Sequence, residues 1–324
     1  MENNRKITAV VLAAGRSSRM KSDNSKMVHK ILGKEIINYL LDSLVMSGIM
    51  EEDIIVVAGD NLEEIRSVVK RNIKFVIQKE QLGTADALLA AERFIKDFKG
   101  DLLVTVGDNP YISSEELKRF ISFYTHKNVE CAFISAIFPS TPPPYGRVIR
   151  EENGSVEMVV EELDATDEQL KIREVNSSIY LFKNETVFDL FKKIDNKNKK
   201  GEYYLTDIIS ILKNEGFSVD ALPAKDYRIS IGINNRWELS EAERFFNLSN
   251  LKRLAVEVGV TILQPDSVTV ETGVIIGKDT VIYPNVYLGS GTKIGRNCKI
   301  GPFVYIKNSV IGDNENISFE KRLG

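Results

Sequence analysis

The sequence predicts an α/β protein: a doubly wound sheet over residues 1–235, a helical connector over 236–257, and a short parallel β-helix over 258–324. Two observations carry this. Up to about residue 235, short Val/Ile/Leu-rich runs alternate with segments whose apolar residues recur at helical spacing, the rhythm of strand and crossover helix. From residue 270 the rhythm becomes an aliphatic residue at every sixth position. A chain of 324 residues also exceeds what one ordinary core holds, so two domains are the natural division.

In chain order, "ITAVVLAA" (7–14), "DIIVVAG" (53–59), "IKFVIQ" (73–78), "DLLVTVGD" (101–108) and "ECAFISAIF" (130–138) read as strands. Several have the continuous aliphatic character of parallel strands covered on both faces. Between them, "EIINYLLDSLVMSG" (35–48), "NLEEIRSVVKR" (61–71), "TADALLAAERFI" (84–95) and "SSEELKRFISFYTHK" (113–127) read as amphipathic helices. Ser113 with Glu116 three residues on makes a capping-box pattern at the last of these. Within 140–162, three consecutive prolines and the pair Asn153-Gly154 announce a rigid turn and then a hairpin laid over the sheet, suited to walling a pocket. "NSSIYLF" (176–182) reads as a return strand, and residues 236–259 as a helix.

Beyond that helix, Val270, Ile276, Ile282, Leu288, Ile294, Ile300 and Ile306 stand six apart, with glycine after Ile276, Leu288, Ile294 and Ile300. Four positions along from each stand Val274, Thr280, Val286, Thr292, Cys298, Val304 and Val310. An aliphatic anchor, a turn residue and a small inward residue repeating in step is the pattern of a parallel β-helix.

Composition excludes several function classes. Lys plus Arg number 43 and Asp plus Glu 46, net −3, so there is no general attraction to nucleic acid or anionic membrane, and any phosphate chemistry is local. Two histidines, His29 and His126, and two distant cysteines, Cys131 and Cys298, supply neither zinc sites nor histidine triads. Such cysteine usage suits a reducing cytoplasm. The apolar run at 7–14 follows Arg5 and Lys6 as a secretory leader would, but it is short and meets Arg16 and Arg19, so it reads as a first strand. No stretch is long enough to span a membrane.

Four motifs fall near expected strand ends, where a doubly wound sheet binds its ligands. In "VVLAAGRSSRMKSDNSKM" (10–27), Gly15 lets the backbone approach an anion, Arg16 and Arg19 supply charge, and Lys26 reaches across a phosphate; a solvated basic loop suits the same residues. In "VGDNP" (106–110), Asp108 suits Mg²⁺ or a turn before the next helix. In "QKEQLGTADA" (78–87), the Gln78 amide complements a pyrimidine edge and Gly83 closes on a base, or Thr84 caps a helix in a polar loop. In "IGINNR" (231–236), Asn234 is a neutral oxygen ligand or part of a turn.

Taken together with "PYGRV", "VVEELDATDEQLKIREVNSSIY" and "GEYYLTD", these motifs resemble the sugar-1-phosphate nucleotidylyltransferases in order and spacing, over essentially the whole chain. The likeness is greatest to the bacterial N-acetylglucosamine-1-phosphate uridylyltransferases, commonly half of a bifunctional enzyme. The resemblance implies a Rossmann-like nucleotidyltransferase domain followed by a left-handed β-helix of hexapeptide repeats. It implies that Leu12, Ala13, Ala14, Gly15, Gln78, Gly83, Thr84 and Gly107 bind nucleotide and that Arg19 and Lys26 bind its phosphates. Gly146, Glu161 and Asn176 would contact the sugar, and Asp108 and Asn234 would hold Mg²⁺. The implied reaction joins UTP and N-acetylglucosamine 1-phosphate by in-line attack of an already anionic oxygen on the α-phosphorus, which needs no general base. It further implies a cytoplasmic enzyme of peptidoglycan-precursor synthesis and a homotrimer through the β-helix.

The chain departs from the family at Ser17, where glycine is usual, at Ser18, where threonine is, and at Ser25, where proline is. Val106 stands where tyrosine or serine is frequent, and Asp86 where histidine is. The acetyl-CoA and glucosamine-phosphate sites of the longer β-helix have no matching positions, so no acetyltransferase activity is expected. Two other functions stay open: transfer to another sugar phosphate or from another base, and a non-catalytic regulatory subunit. A substrate matrix separates the first, and the joint presence of Arg19, Lys26, Asp108 and Asn234 argues against the second.

Overall fold

The computed structural model describes residues 5–15 and 17–319; Arg16 lies outside them. The described chain forms two compact units, one from residues up to 28 and from 36 to 233, the other from 29–35 and 234 onward.

The first unit is a nine-stranded mixed sheet. Its strands are β1 (Ile7–Leu12), β2 (Ile54–Ala58), β3 (Lys74–Ile77), β4 (Asp101–Val106), β5 (Cys131–Ile137), β6 (Arg147–Arg150), β7 (Val156–Val160), β8 (Glu174–Lys183) and β9 (Val219–Pro223). They lie in the order β9-β5-β8-β4-β1-β2-β3, with β6 against β8 and β7 beyond it. β1 runs parallel to β2 and β4, with Ala9 opposite Ile54 and Val10 opposite Val104. Alternation along β1 sends Ala9 and Val11 into one core and Val10 and Leu12 into the other. The helices Ile36–Met46 and Ser114–Lys127 cover the first face; Thr84–Ala90 and Ile208–Asn214 cover the second. That two-sided burial is why these strands lack polar alternation.

The sheet is not wholly parallel. The return strand β8 enters antiparallel between β4 and β5, with an irregularity between Asn176 and Tyr180 where Ser178 takes φ +58°. The expected hairpin is β6 with β7, its turn made by Gly154 at φ +85° and by Asn153, whose side-chain oxygen accepts from Ser155 N–H at 2.8 Å. Two helices are shorter than their periodicity suggests: 61–71 is helical only over Leu62–Val68, and 84–95 breaks at Ala91 into Thr84–Ala90 and Glu92–Ile95. The Ser113 box is half formed. Ser113 Oγ accepts from Glu116 N–H at 3.2 Å, but the Glu116 carboxylate turns to Arg119 at 2.9 Å.

In the second unit the helix Arg236–Arg253 is capped by Asn235 and runs into one π turn, Leu254–Val258, before Gly259 at φ +83° ends it. A small hairpin, Lys30–Ile31 with Lys34–Glu35, joins this unit, Thr272 N–H donating to the Leu32 carbonyl at 2.9 Å. The rest is a left-handed parallel β-helix of three ladders. Val270 pairs with Leu288, Ile276 with Ile294 and Ile282 with Ile300, so each coil takes three six-residue steps. All seven anchors are buried, as are the small residues from Val274 to Val304 in the second series. Val310 is the exception at 82% exposure. The last coil is one residue shorter, pairing Ile294 with Ile311 and Ile300 with Ile317, so Ile311 takes the anchor position, Ser309 stands where Thr292 stood a coil earlier, and Val310 aligns with exposed Lys293 and faces out.

Candidate active site

A cavity of about 540 Å³ opens in the first unit where β1, β3 and β4 end. Its lining brings together Leu12, Ala14, Gly15, Lys26, Gln78, Gly83, Thr84 and Asp108, residues from three of the four motifs. Met27, Gln81, Ala87, Val106 and Glu202 complete it.

The first loop is held by its neighbours. Gly107 N–H donates to the Leu12 carbonyl at 2.8 Å, and Ala13 has both backbone groups engaged, N–H to Val57 O and its carbonyl accepting from Asn61 Nδ2. Ala13 and Gly107 therefore support the loop from behind the cavity: a Cβ at Gly107 would lie 3.2 Å from the Ala13 Cβ. Ser17 adopts φ +56°, a conformation that favours glycine, and its hydroxyl accepts from Lys26 N–H at 3.1 Å. The Ser17 side chain thus ties the two ends of the loop to each other. Ser25 Oγ accepts from Asn61 Nδ2 at 2.9 Å, and Ser25 N–H donates to Glu64 at 2.7 Å. Arg19 sits on the one-turn helix Ser18–Met20, is exposed, and does not line the cavity.

Lys26 Nζ donates to Asp108 Oδ2, with side chains only 11% and 15% exposed. The Asp108 turn is pinned to residues 229–233: Ile233 N–H donates to the Asp108 carbonyl at 2.9 Å, and Asn109 Nδ2 donates to the Ile229 carbonyl. Asn234 opens the second unit, where its N–H donates to Glu238 at 2.6 Å.

Gln78 is buried after β3, and its Nε2 donates to Asp86 Oδ2 at 2.7 Å and to the Gly83 carbonyl at 3.2 Å. Gly83 takes φ +130°, and a Cβ there would lie 2.5 Å from the Tyr203 carbonyl oxygen. Thr84 does not cap its own helix; its Oγ1 accepts from Leu205 N–H at 2.9 Å. Tyr203 N–H donates to Leu82 O, and Ala85 N–H donates to Tyr203 O, so residues 203–205 brace the whole turn.

The same segment reaches the hairpin wall. Thr206 Oγ1 donates to Glu161 Oε1 at 2.9 Å. Asn176 N–H donates to the Gly146 carbonyl at 2.9 Å, and a Cβ at Gly146 would sit 3.4 Å from Glu161 Oε1, so Gly146, Glu161 and Asn176 form one cluster. Asn176 Nδ2 donates to the Tyr180 hydroxyl at 2.6 Å. Burial raises the Glu161 carboxyl above its ordinary value. Burial, with Glu161, Asp195 and Asp164 adding, pushes Asp207 up to about 6.

Residues 8–238 match the family model described as nucleotidyl transferase. The chain belongs to that family. Residues 273–308 of this nucleotidyl transferase match the bacterial transferase hexapeptide model of six repeats. It is 38% identical over 96% of its length to the bifunctional protein GlmU of Alkaliphilus oremlandii, and 40% identical over 95% to that of Clostridium beijerinckii, covering 67% of each. The GlmU of Exiguobacterium sp. is 38% identical over 98% of the chain, which covers 70% of that relative.

For several residues of this nucleotidyl transferase site the sequence did not show the partner or the supporting role. Asn61 bridges the first loop to Ser25, Thr206 holds Glu161, and Asp86 grips Gln78. "GEYYLTD" contains Thr206, but its partner lies 45 residues away, and only the fold joins them.

Proposed function

We infer that the chain transfers UMP from UTP to N-acetylglucosamine 1-phosphate, releasing pyrophosphate and UDP-N-acetylglucosamine. The observation that carries this is one cavity holding a glycine loop, the Lys26–Asp108 pair and the Gln78–Gly83–Thr84 turn. Backbone around Leu12, Ala14 and Gly15 would meet the nucleotide, with Ala13 and Gly107 holding it in place. Lys26 would neutralise phosphate charge, and Arg19 is assigned the same role from the family pattern. Gln78, Gly83 and Thr84 would read the base, and Gly146, Glu161 and Asn176 the sugar. Catalysis is then alignment and charge neutralisation, since the attacking phosphate oxygen carries its own charge.

We assign Mg²⁺ to Asp108, with Asn234 added from the family pattern. Mg²⁺ typically takes one or two protein oxygens and draws the rest of its shell from phosphates and water, a demand that Asp108 with one neutral oxygen meets. A Cβ at Gly232 would stand 2.9 Å from Asp108 Oδ1, so glycine there keeps that oxygen open. When bound, such an ion neutralises charge on the reacting phosphates.

Exposed Ile275, Phe303, Tyr305 and Val310 on the β-helix support a homotrimer, to be read by sedimentation equilibrium. Buried free thiols at Cys131 and Cys298 support a cytoplasmic setting. The deciding experiment is pyrophosphate release across a matrix of nucleoside triphosphates and sugar 1-phosphates. Absence of release with UTP and N-acetylglucosamine 1-phosphate overturns the reading.

A further inference from the structure

We propose that Asp86 is a positioning residue that sets base selectivity by fixing which end of the Gln78 amide faces the base. The inference rests on the uridylyltransferase reading and deepens it. An amide side chain has a donor end and an acceptor end of nearly equal shape, and a free one presents either. Gln78 is not free. Its Nε2 lies 2.7 Å from Asp86 Oδ2 and 3.2 Å from the Gly83 carbonyl oxygen. An ionised carboxylate and a backbone carbonyl can only accept, so both demand the nitrogen end and use both of its hydrogens. Oε1 is the end that remains. Among the described residues nothing donates to it, it is not sealed from solvent, and Gln78 lines the cavity.

The amide therefore offers the cavity an acceptor and no donor. Gly83, also on the cavity, has an N–H with no acceptor among the described residues. An acceptor beside a donor complements uracil, whose N3–H lies beside a carbonyl. It mismatches cytosine, whose N3 is a lone pair beside an amino group. Without Asp86 only the longer contact to Gly83 holds the nitrogen end, and the amide can turn to present its donor to cytosine.

The test measures kcat/KM for UTP and for CTP, with N-acetylglucosamine 1-phosphate, in the wild-type chain, Asp86→Ala and Asp86→Asn. A ratio taken on one preparation cancels any loss of folded protein. Asp86→Ala is expected to lower the UTP-to-CTP ratio by about tenfold or more, in the range of one good base contact. Asp86→Asn keeps an accepting oxygen while Gly83 still demands the nitrogen end, so its ratio stays within about threefold of wild type. The KM for the sugar phosphate is expected to hold in both. UTP turnover with an unchanged ratio in Asp86→Ala, or an equal loss in Asp86→Asn, overturns the role of Asp86 alone. A wild-type chain with no UTP turnover overturns the uridylyltransferase reading itself.

Discussion

Gly15→Ala separates what the fold requires from what the ligand requires. Gly15 lines the cavity, its φ is outside the left-handed region, and a Cβ there would meet no protein atom within 4 Å. The folded chain accepts a methyl at no steric cost, and the unfolded chain loses freedom, which is worth about 0.4–1 kcal/mol of added stability. For a unit of this size that raises Tm by about 1–3 °C. The proposed nucleotide would respond differently: a methyl at 15 would hold a phosphate oxygen away from the loop amides. Losing one charge-assisted hydrogen bond of about 1.5–3 kcal/mol lowers kcat/KM roughly 10- to 150-fold. Gly83→Ala is the counterpart, because φ +130° and the Tyr203 backbone at 2.5 Å both forbid its methyl, so Tm falls by several degrees. Thermal melts read by circular dichroism and pyrophosphate release measure the two quantities. A Gly15→Ala protein that melts several degrees lower, or keeps full kcat/KM, refutes the reasoning.

Lys26→Ala is expected to lower kcat/KM about a hundredfold or more, and to cost about 1–3 kcal/mol in urea unfolding, less than a sealed pair because Asp108 borders the open cavity. Asp207, at about 6 in the fold against an ordinary 3.8, keeps a proton that the unfolded chain has released between those values, so its contribution is full below pH 3.8 and is lost as pH rises to about 6. Asp207→Asn removes that slope, and urea titrations should find it more stable than wild type above pH 6, by at most about 3 kcal/mol and about 1 after screening, with the difference gone near pH 4. Leu288→Ala, at a fully buried β-helix anchor, should cost about 2–5 kcal/mol by the same measurement.

The parts legible in the sequence were those with a local signature. Each β-helix step carries its own anchor, so all seven buried positions could be counted from the chain. Lys26 and Asp108 each belonged to a readable motif, and the fold brought them into one ion pair across 82 positions. The illegible parts depend on partners distant in sequence or on a single missing residue. Thr272 gives no sign that it will bond Leu32, and Asn61 reads as the first residue of a helix until its amide meets Ala13 and Ser25. Val310 kept the sequence period but lost its place, because pairing of Ile294 with Ile311 shortened the coil beneath it.

Residues 203–206 bond the turn holding Gly83 and Thr84 on one side and Glu161 on the other. One stretch of backbone therefore stands behind both the proposed nucleotide subsite and the proposed sugar subsite. If both subsites are used as proposed, ordering this stretch with one substrate is expected to change the affinity for the other, and by the same factor in either direction. Changes selected for a new acceptor sugar along this stretch would carry altered nucleotide affinity with them, which narrows the evolutionary routes by which such an enzyme changes its product.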